Sequence, residues 1–215
     1  MNVRLVAIAT AALGAVVAFV PSGARAFERT RGELPDTFLF WRYREVEVRP
    51  AYDSSADLPA DRVEFAVSQS VAAWNDAAAG CSDLFLVDGG PPPGLDTNLV
   101  NGVQDGENRI VWREDSWPPE LSEAVLAQTT LVYDSRTGQL LDADIDLNGV
   151  HHFWTDTDEA GSVDTDVRNT VTHELGHENR LPHTPHTEAT MFAESAPGDT
   201  EKRSLAADDL DGLCF

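Results

Sequence analysis

The stretch "HELGHENRLPH", residues 173–183, decides how this chain folds and what it can hold. It begins near the end of a segment, about residues 165–179, whose pattern predicts a helix. His173 and His177 are four residues apart, so on a helix they lie about one turn apart on one face. Both imidazoles can therefore reach one ion, and Glu174, beside His173, can reach a water molecule on that ion.

The H-E-x-x-H spacing is typical of a zinc site that contains its own base. Zinc suits three imidazoles and leaves its fourth position to water, whose pKa falls to around 7. A neighbouring carboxylate can take the proton of that water during attack on a peptide carbonyl. The spacing also occurs by chance on ordinary helices, where the histidines are only polar. His183, six residues after His177, is the candidate third ligand; His186 is the other candidate, and a plain surface role for His183 is the alternative.

The segment resembles the matrixin branch of the metzincins, the matrix-metalloproteinase-like catalytic domains and their shorter bacterial relatives. The resemblance is carried by "VTHELGH", then "LPHT", "EATMF" and "LAADDLDGL", with Met191 as the methionine of the family's turn. Upstream, "TTLVYDSRTGQLLDADIDLNG" is similar to the paired strands that precede the active-site helix. The resemblance is specific over residues 127–214 and only architectural over residues 37–126.

The resemblance implies an α+β, metzincin-like fold. Its sheet is twisted, mostly parallel and five-stranded, with an antiparallel edge strand at residues 128–134, an active-site helix and a C-terminal helix. A peptide substrate would lie along the edge strand by strand addition. The resemblance also implies Zn²⁺ held by His173, His177 and His183, with Glu174 as general base. Met191 would lie under the metal without binding it.

Position 180 departs from the family pattern, because Arg180 stands where the family has glycine. Glycine allows a left-handed turn that returns the third histidine to the metal. A non-glycine residue in that conformation is strained by about 1–3 kcal/mol. Either Arg180 bears this strain, or the turn moves to Asn179, since asparagine tolerates the left-handed region best after glycine.

The chain begins with a segment typical of a secretory signal peptide. One arginine precedes an apolar run at residues 5–20, and "ARA" ends at Ala26. We therefore expect residues 1–26 to be removed, leaving one matrixin-like domain at residues 27–215 that is secreted or periplasmic. A membrane anchor is the alternative, but the run is short for a span of about 20 residues.

The chain is strongly acidic, with a formal net charge of −22. Such a surface repels nucleic acid and anionic membranes and favours divalent cations. We expect a peptide or protein substrate, no nucleic acid, no membrane anchor in the mature form, and a monomer. Asp142, Asp144 and Asp146 share one face of a predicted strand, where they must be solvated or bind a cation such as a structural Ca²⁺. We predict that these three carboxylates are solvated.

The chain has two cysteines, Cys81 and Cys214. Because we expect the chain to be exported, this even count suggests a disulfide between them. Two unpaired buried thiols are the alternative. The rest of the chain predicts a strand over residues 37–50, a helix within 58–80, short strands at 83–88 and 109–115, and a final amphipathic helix within 204–215.

Three functions fit these patterns. The leading hypothesis is an exported zinc endopeptidase of the matrixin type. The second is a matrixin-like metal-binding protein with weak or no catalysis, acting as a binding or accessory protein. The third is an acidic calcium-binding module with a fortuitous motif. The combination of "HELGH" with His183 and Met191 favours the first two.

Overall fold

The computed structural model describes residues 3–12, 29–93, 104–156 and 164–214. The helices are α1 (Ala60–Ala78), α2 (Val167–Glu178) and α3 (Ala207–Cys214), with a 3₁₀ turn at Glu201–Arg203. The strands are β1 (Val3–Ala12), β2 (Phe40–Trp41), β3 (Glu45–Pro50), β4 (Phe85–Asp88), β5 (Asn108–Arg113), β6 (Val125–Asp134), β7 (Gln139–Asn148), β8 (Trp154–Thr155), β9 (Thr165–Asp166) and β10 (Glu194–Ser195).

Five strands form the sheet that the resemblance implied. They are arranged as β4-β3-β5-β7-β6, with the first four parallel and β6 antiparallel to β7. The α+β fold class is therefore confirmed. The sheet is larger than expected, however, because β1, β2 and β10 join it to give eight strands among the described residues. The single strand predicted at residues 37–50 is two strands, β2 and β3, separated by a bend.

Helices α1 and α2 pack together and cover one face of this sheet. The core between them contains Trp74 of α1 and Leu175 of α2, both almost fully buried. The indole Nε1 of Trp74 donates to the carbonyl of Thr172 at 2.7 Å. This bond fixes α1 against the middle of α2, so the helix that carries the histidines is held rigidly.

The start of α2 is capped by an aspartate. The side chain of Asp166 accepts a hydrogen bond from the backbone N–H of Asn169 at 2.7 Å. Arg203 pairs with the same carboxylate, so the cap is neutralised and held in place. A side-chain cap of this kind contributes roughly 1 kcal/mol to the free energy of unfolding.

The outer edge of β6 is covered, although the sequence predicted an open edge strand. β1 pairs antiparallel with β6 over nine residue pairs, from Val3↔Asp134 to Ala11↔Val125. At its end β1 also pairs in parallel with β10, through Ala11↔Glu194 and Ala12↔Ser195. The predicted edge at residues 128–134 is thus part of a longer, interior strand, Val125–Asp134.

The disulfide prediction is confirmed, because Cys81 is bonded to Cys214 with their Cα atoms 5.1 Å apart. Cys81 follows α1 and Cys214 ends α3, so the bridge joins two helices that are distant in sequence. Among the described residues, no helix has both the length and the apolarity needed to cross a membrane. Removal of residues 1–26 stays a prediction, and residues 13–26 lie outside the described part.

Candidate metal centre

Three histidine side chains converge at the end of α2. His173 and His177 are fully buried, and His183 is partly buried. The Nε2 atom of His183 lies 3.1 Å from Nε2 of His173 and 3.2 Å from Nε2 of His177. Within the described ranges, this is the one group of three or more histidine, cysteine, aspartate or glutamate side chains with the spacing of a metal site.

The turn after α2 returns His183 to the other two histidines. Arg180 has a φ of 71°, in the left-handed region, whereas Asn179 has a φ of −75°. The N–H of Arg180 donates to the carbonyl of His177 at 2.8 Å, and the N–H of Leu181 donates to the carbonyl of Gly176 at 3.0 Å. This is the pair of bonds of a Schellman turn. Of the two turns that the sequence left open, the chain adopts the one at Arg180.

Backbone carbonyls orient the imidazoles of α2. Nδ1 of His173 donates to the carbonyl of Thr190 at 2.5 Å, and Nδ1 of His177 donates to the carbonyl of Leu181 at 2.7 Å. With the proton on Nδ1, the lone pair is on Nε2, which is the atom that faces the other histidines. The turn that carries His183 therefore also supplies the acceptor for His177.

Burial keeps all three imidazoles neutral. Burial first, and then neighbouring positive charges, lower the pKa of His177 to about 3 and that of His183 to about 4. The pKa of His173 is well below its ordinary value, first because of burial and then because of Lys202. Neutral imidazole is the form that binds a metal ion.

The three residues fit zinc. Zinc–nitrogen bonds of 2.0–2.1 Å in a tetrahedron place the nitrogen atoms about 3.3 Å apart, close to the Nε2 separations of 3.1 and 3.2 Å. The Nε2 lone pairs of His173 and His177 both face Nε2 of His183, so one cation can be shared by the three nitrogen atoms. Such a donor set with a fourth position left open is typical of a catalytic zinc site.

Glu174 lies beside this cluster, fully buried. Its Oε2 accepts a hydrogen bond from the hydroxyl of Thr129, on β6, at 2.5 Å. This bond fixes the rotamer of the carboxylate. Sequence reasoning did not identify Thr129, because a single threonine in a strand carries no signal and its partner is 45 residues away.

Met191 packs beneath the two histidines of α2. It is buried, and its sulphur lies so close to Gly176 that a Cβ at position 176 would collide with it. Gly176 lies between His173 and His177 on α2, so the methionine packs directly under the pair. Asp209 of α3 accepts hydrogen bonds from the N–H groups of Thr190 at 2.8 Å and Met191 at 3.0 Å. The aspartate pair in "LAADDLDGL" thus contributes the residue that holds the methionine turn.

Lys202 is a second residue that the sequence did not point to. It is 5% exposed, and its ammonium donates to the carbonyl of Phe192 and lies 3.5 Å from Nδ1 of His173. Burial lowers its pKa to about 8. Its charge lies behind His173, on the side away from the other two imidazoles, and opposes protonation of that ring.

A cavity of about 120 Å³ lies at the N-terminal end of α2. Leu126 of β6 and Asn169 and Thr170 of α2 line it, together with Ser195 and Pro197, which follow Met191 in the chain. The residues after the methionine therefore wall a pocket.

The aspartate face of β7 is buried, so the prediction that it is solvated is wrong. The backbone N–H groups of Asp105 and Gly106 donate to Asp142 at 2.7 and 2.9 Å, and Arg113 donates to Asp146 at 2.6 Å. The loop before β5 covers part of this face through its N–H groups, which a strand pattern cannot reveal. Burial raises the pKa of Asp142 to about 6, that of Asp144 to about 7 and that of Asp146 to about 6.

Glu178 also points into this region. It is fully buried, and neither carboxyl oxygen has a hydrogen-bond partner among the described residues. Burial, and then repulsion by Asp144 and Asp142, raises the pKa of Glu178 well above its ordinary value. Burial therefore disfavours the ionised form of this side chain.

The other histidines stay away from the cluster. His186 is exposed, with its Nε2 atom 4.0 Å from a carboxylate oxygen of Asp208. Nε2 of His152 lies 3.0 Å from the carbonyl of Glu123. Between the two candidates for third ligand, the geometry favours His183.

Taken together, the metzincin-like α+β fold and the group of three histidines beside a buried glutamate define a domain of the metalloprotease type. The model of the matrixin (peptidase M10) family matches residues 112–214, which supports a matrixin-like catalytic domain in this part of the chain. No curated protein matches the chain significantly.

Proposed function

We propose that this protein is an exported zinc-dependent endopeptidase, with His173, His177 and His183 as metal ligands and Glu174 as general base. The observation that carries the proposal is the convergence of three Nε2 atoms beside a glutamate held by Thr129. The matrixin match supports a metalloprotease with peptide or protein substrates. The disulfide Cys81–Cys214 is compatible with export.

Zinc, when bound, supplies a Lewis acid that polarises the peptide carbonyl and lowers the pKa of a water molecule. Glu174 takes a proton from that water and passes it to the leaving nitrogen of the peptide. Thr129 donates to one oxygen of this carboxylate and so holds its orientation. Nδ1 of His173 and of His177 stays bonded to backbone carbonyls, which keeps each Nε2 unprotonated.

The second candidate is a matrixin-like metal-binding protein with weak or no catalysis. The observation that favours it is Arg180, whose left-handed conformation places strain on the turn that carries the third ligand. A structural Ca²⁺ elsewhere in the fold remains a separate proposal.

The test compares Glu174→Gln with the parent chain for zinc content and peptide hydrolysis. We expect about one zinc ion per chain in both, and a loss of turnover of at least about a hundredfold in the variant, because general-base catalysis contributes on the order of 10²–10⁴. Glu188→Gln is the matched control, since Glu188 is exposed near the methionine turn. Full activity of Glu174→Gln excludes the mechanism, and zinc binding without hydrolysis by the parent favours the second candidate.

A further inference from the structure

The gap between β6 and β10 is one strand wide, and the chain fills it with its own N-terminal segment. In the described residues, β6 and β10 do not pair with each other; β1 lies between them and pairs with both. Removing β1 would leave two facing edges of unpaired N–H and C=O groups. An exposed pair of edges of this kind is a ready site for an extended peptide.

β1 runs through this gap next to the catalytic glutamate. Ile8 lies in register with Thr129, the residue that donates its hydroxyl to Glu174. Further along, Ala11 lies in register with Val125 on one side and Glu194 on the other. The cavity lined by Leu126 and Ser195 opens at this end of β1. The N-terminal segment thus covers the same stretch of β6 that borders the candidate site.

Two side-chain contacts tie the segment to this position. Ile8 packs against the cluster formed by Leu131, Tyr133 and their buried neighbours. The guanidinium of Arg4 donates twice to Glu33, at 3.1 and 3.2 Å. The pair is exposed and contributes little by itself, so the backbone ladder and Ile8 provide most of the attachment.

We propose that Val3–Ala12 is an internal ligand of the substrate groove, which blocks the groove in the unprocessed chain. The proposal rests on the proposed function, since the groove matters only if Glu174 acts on a bound peptide. The segment falls within residues 1–26, which the sequence predicts to be removed on export. Removal of the leader then exposes the β6 edge, so that the enzyme becomes accessible to substrates only after it has been exported.

The first experiment releases the segment in the full chain with Ala7→Pro combined with Ile8→Pro. Of two adjacent residues in an antiparallel strand, one directs its N–H to the partner, so the pair of prolines must remove a ladder bond. Ala7→Thr is the matched control, because it keeps the N–H and favours a strand. As part of the chain, the segment has an effective concentration in the millimolar range, which is about tenfold above a Kd of about 0.1 mM for the same peptide added in solution. We therefore expect release to raise peptide hydrolysis by about tenfold.

The second experiment fixes the segment in place with Ala7→Cys combined with Thr130→Cys, which are register partners. We expect the oxidised variant to lose hydrolysis and to recover it on reduction, while Thr130→Cys alone and the parent do not respond to the reductant in this way. A synthetic peptide of sequence VRLVAIATAA should inhibit the proline variant competitively, and a proline-substituted copy should not. Intact mass is recorded throughout, since cleavage within residues 3–12 would make the segment a substrate and overturn the proposal.

A readout without catalysis separates this proposal from the proposed function. In the parent, all β6 amides from Leu126 to Tyr133 should be protected from hydrogen exchange. In the proline variant, alternate amides that face β1 should exchange faster, while those that face β7 stay protected. If no variant hydrolyses peptides but this pattern appears, the proposed function fails and the segment still binds the groove. If hydrolysis is present and neither the rate nor the exchange changes on release, the internal ligand is disproved.

Discussion

Arg180 adopts a backbone conformation that glycine adopts without cost. Its φ of 71° completes the turn that brings His183 to the cluster, and its carbonyl accepts from both the N–H and the hydroxyl of Thr30. Burial lowers the pKa of its guanidinium to about 10, so the side chain is also partly desolvated. Left-handed backbone strain and desolvation of the guanidinium therefore both disfavour arginine at this position, which determines where His183 lies.

We expect Arg180→Gly to bind zinc more tightly and to hydrolyse peptides faster. Relief of about 1–2 kcal/mol of left-handed strain would change zinc affinity by roughly five- to thirtyfold, if all of it appears there. Zinc dissociation constants of parent and variant in one buffer measure the effect. Asn179→Gly is the control, because Asn179 has an ordinary negative φ and gains nothing from glycine. Equal zinc affinity in parent and Arg180→Gly would show that the turn is already relaxed.

At the level of elements, β7 has an unusual buried face. Three aspartates lie on it, and after burial the charges of Asp144 and Asp142 raise the pKa of Glu178 of α2 further. Strands buried on both faces are normally apolar. Here backbone N–H groups donate to Asp142 and Asp144, and the side chain of Arg113 donates to Asp146. Because burial raises the pKa of each of these carboxyl groups, the stability of the fold depends on pH.

Asp144→Asn should become progressively more stable than the parent as the pH rises from about 4 to about 7. Burial, and then repulsion by Asp142, raises the pKa of Asp144 to about 7 in the folded chain. Between these values the unfolded chain ionises the carboxyl group while the folded chain resists it, so the parent loses unfolding free energy and the asparagine variant does not. Asparagine keeps the oxygen that accepts from the N–H of Arg109.

Urea unfolding of both chains at several pH values measures this difference, which we expect to grow by about 3 kcal/mol across the range. The buried histidines raise the unfolding free energy as the pH rises, and they do so equally in both chains. The difference between the two chains therefore does not contain their contribution. The same change at the exposed Asp76 should give a flat difference. A flat difference for Asp144→Asn as well would mean that the carboxyl group is ionised in the fold.

At the scale of the whole molecule, the disulfide joins a residue that precedes the segment matched by the family model to the last residue of that segment. Cys81 lies outside residues 112–214 and Cys214 lies at their last position. The two residues are 133 positions apart. Because α3 also holds the methionine turn through Asp209, the bridge anchors one support of the metal centre to α1.

Replacing both cysteines by serine should lower the free energy of unfolding by a few kcal/mol, and by at most about 5 in the chain-entropy model for so long a loop. Denaturant unfolding of parent and variant gives this value, and alkylation of the native parent without reductant should modify neither thiol. Zinc content should be unchanged, since neither cysteine belongs to the group of three histidines. An unfolding midpoint equal to that of the parent would show that the bridge contributes no stability.

The sequence predicted what depends on local pattern and on fixed spacing. The helix with His173 and His177, the paired strands before it, and the pairing of Cys81 with Cys214 all fall in this class. The burial of the β7 aspartates, the bond from Thr129 to Glu174 and the position of β1 could not be predicted in this way. Each depends on which distant segment covers a given face or edge, and a strand pattern does not specify its neighbour.

Lys202 is the one lysine in the sequence, and its ammonium lies inside the fold against the carbonyl of Phe192. Amine-selective reagents therefore meet a native chain whose ε-amino group is shielded, with the α-amino group as the remaining target. Acylation at position 202 requires the segment behind His173 to open first. The rate of that single modification, followed by mass spectrometry, reports how often the support of the metal centre opens, without any label or substitution being introduced.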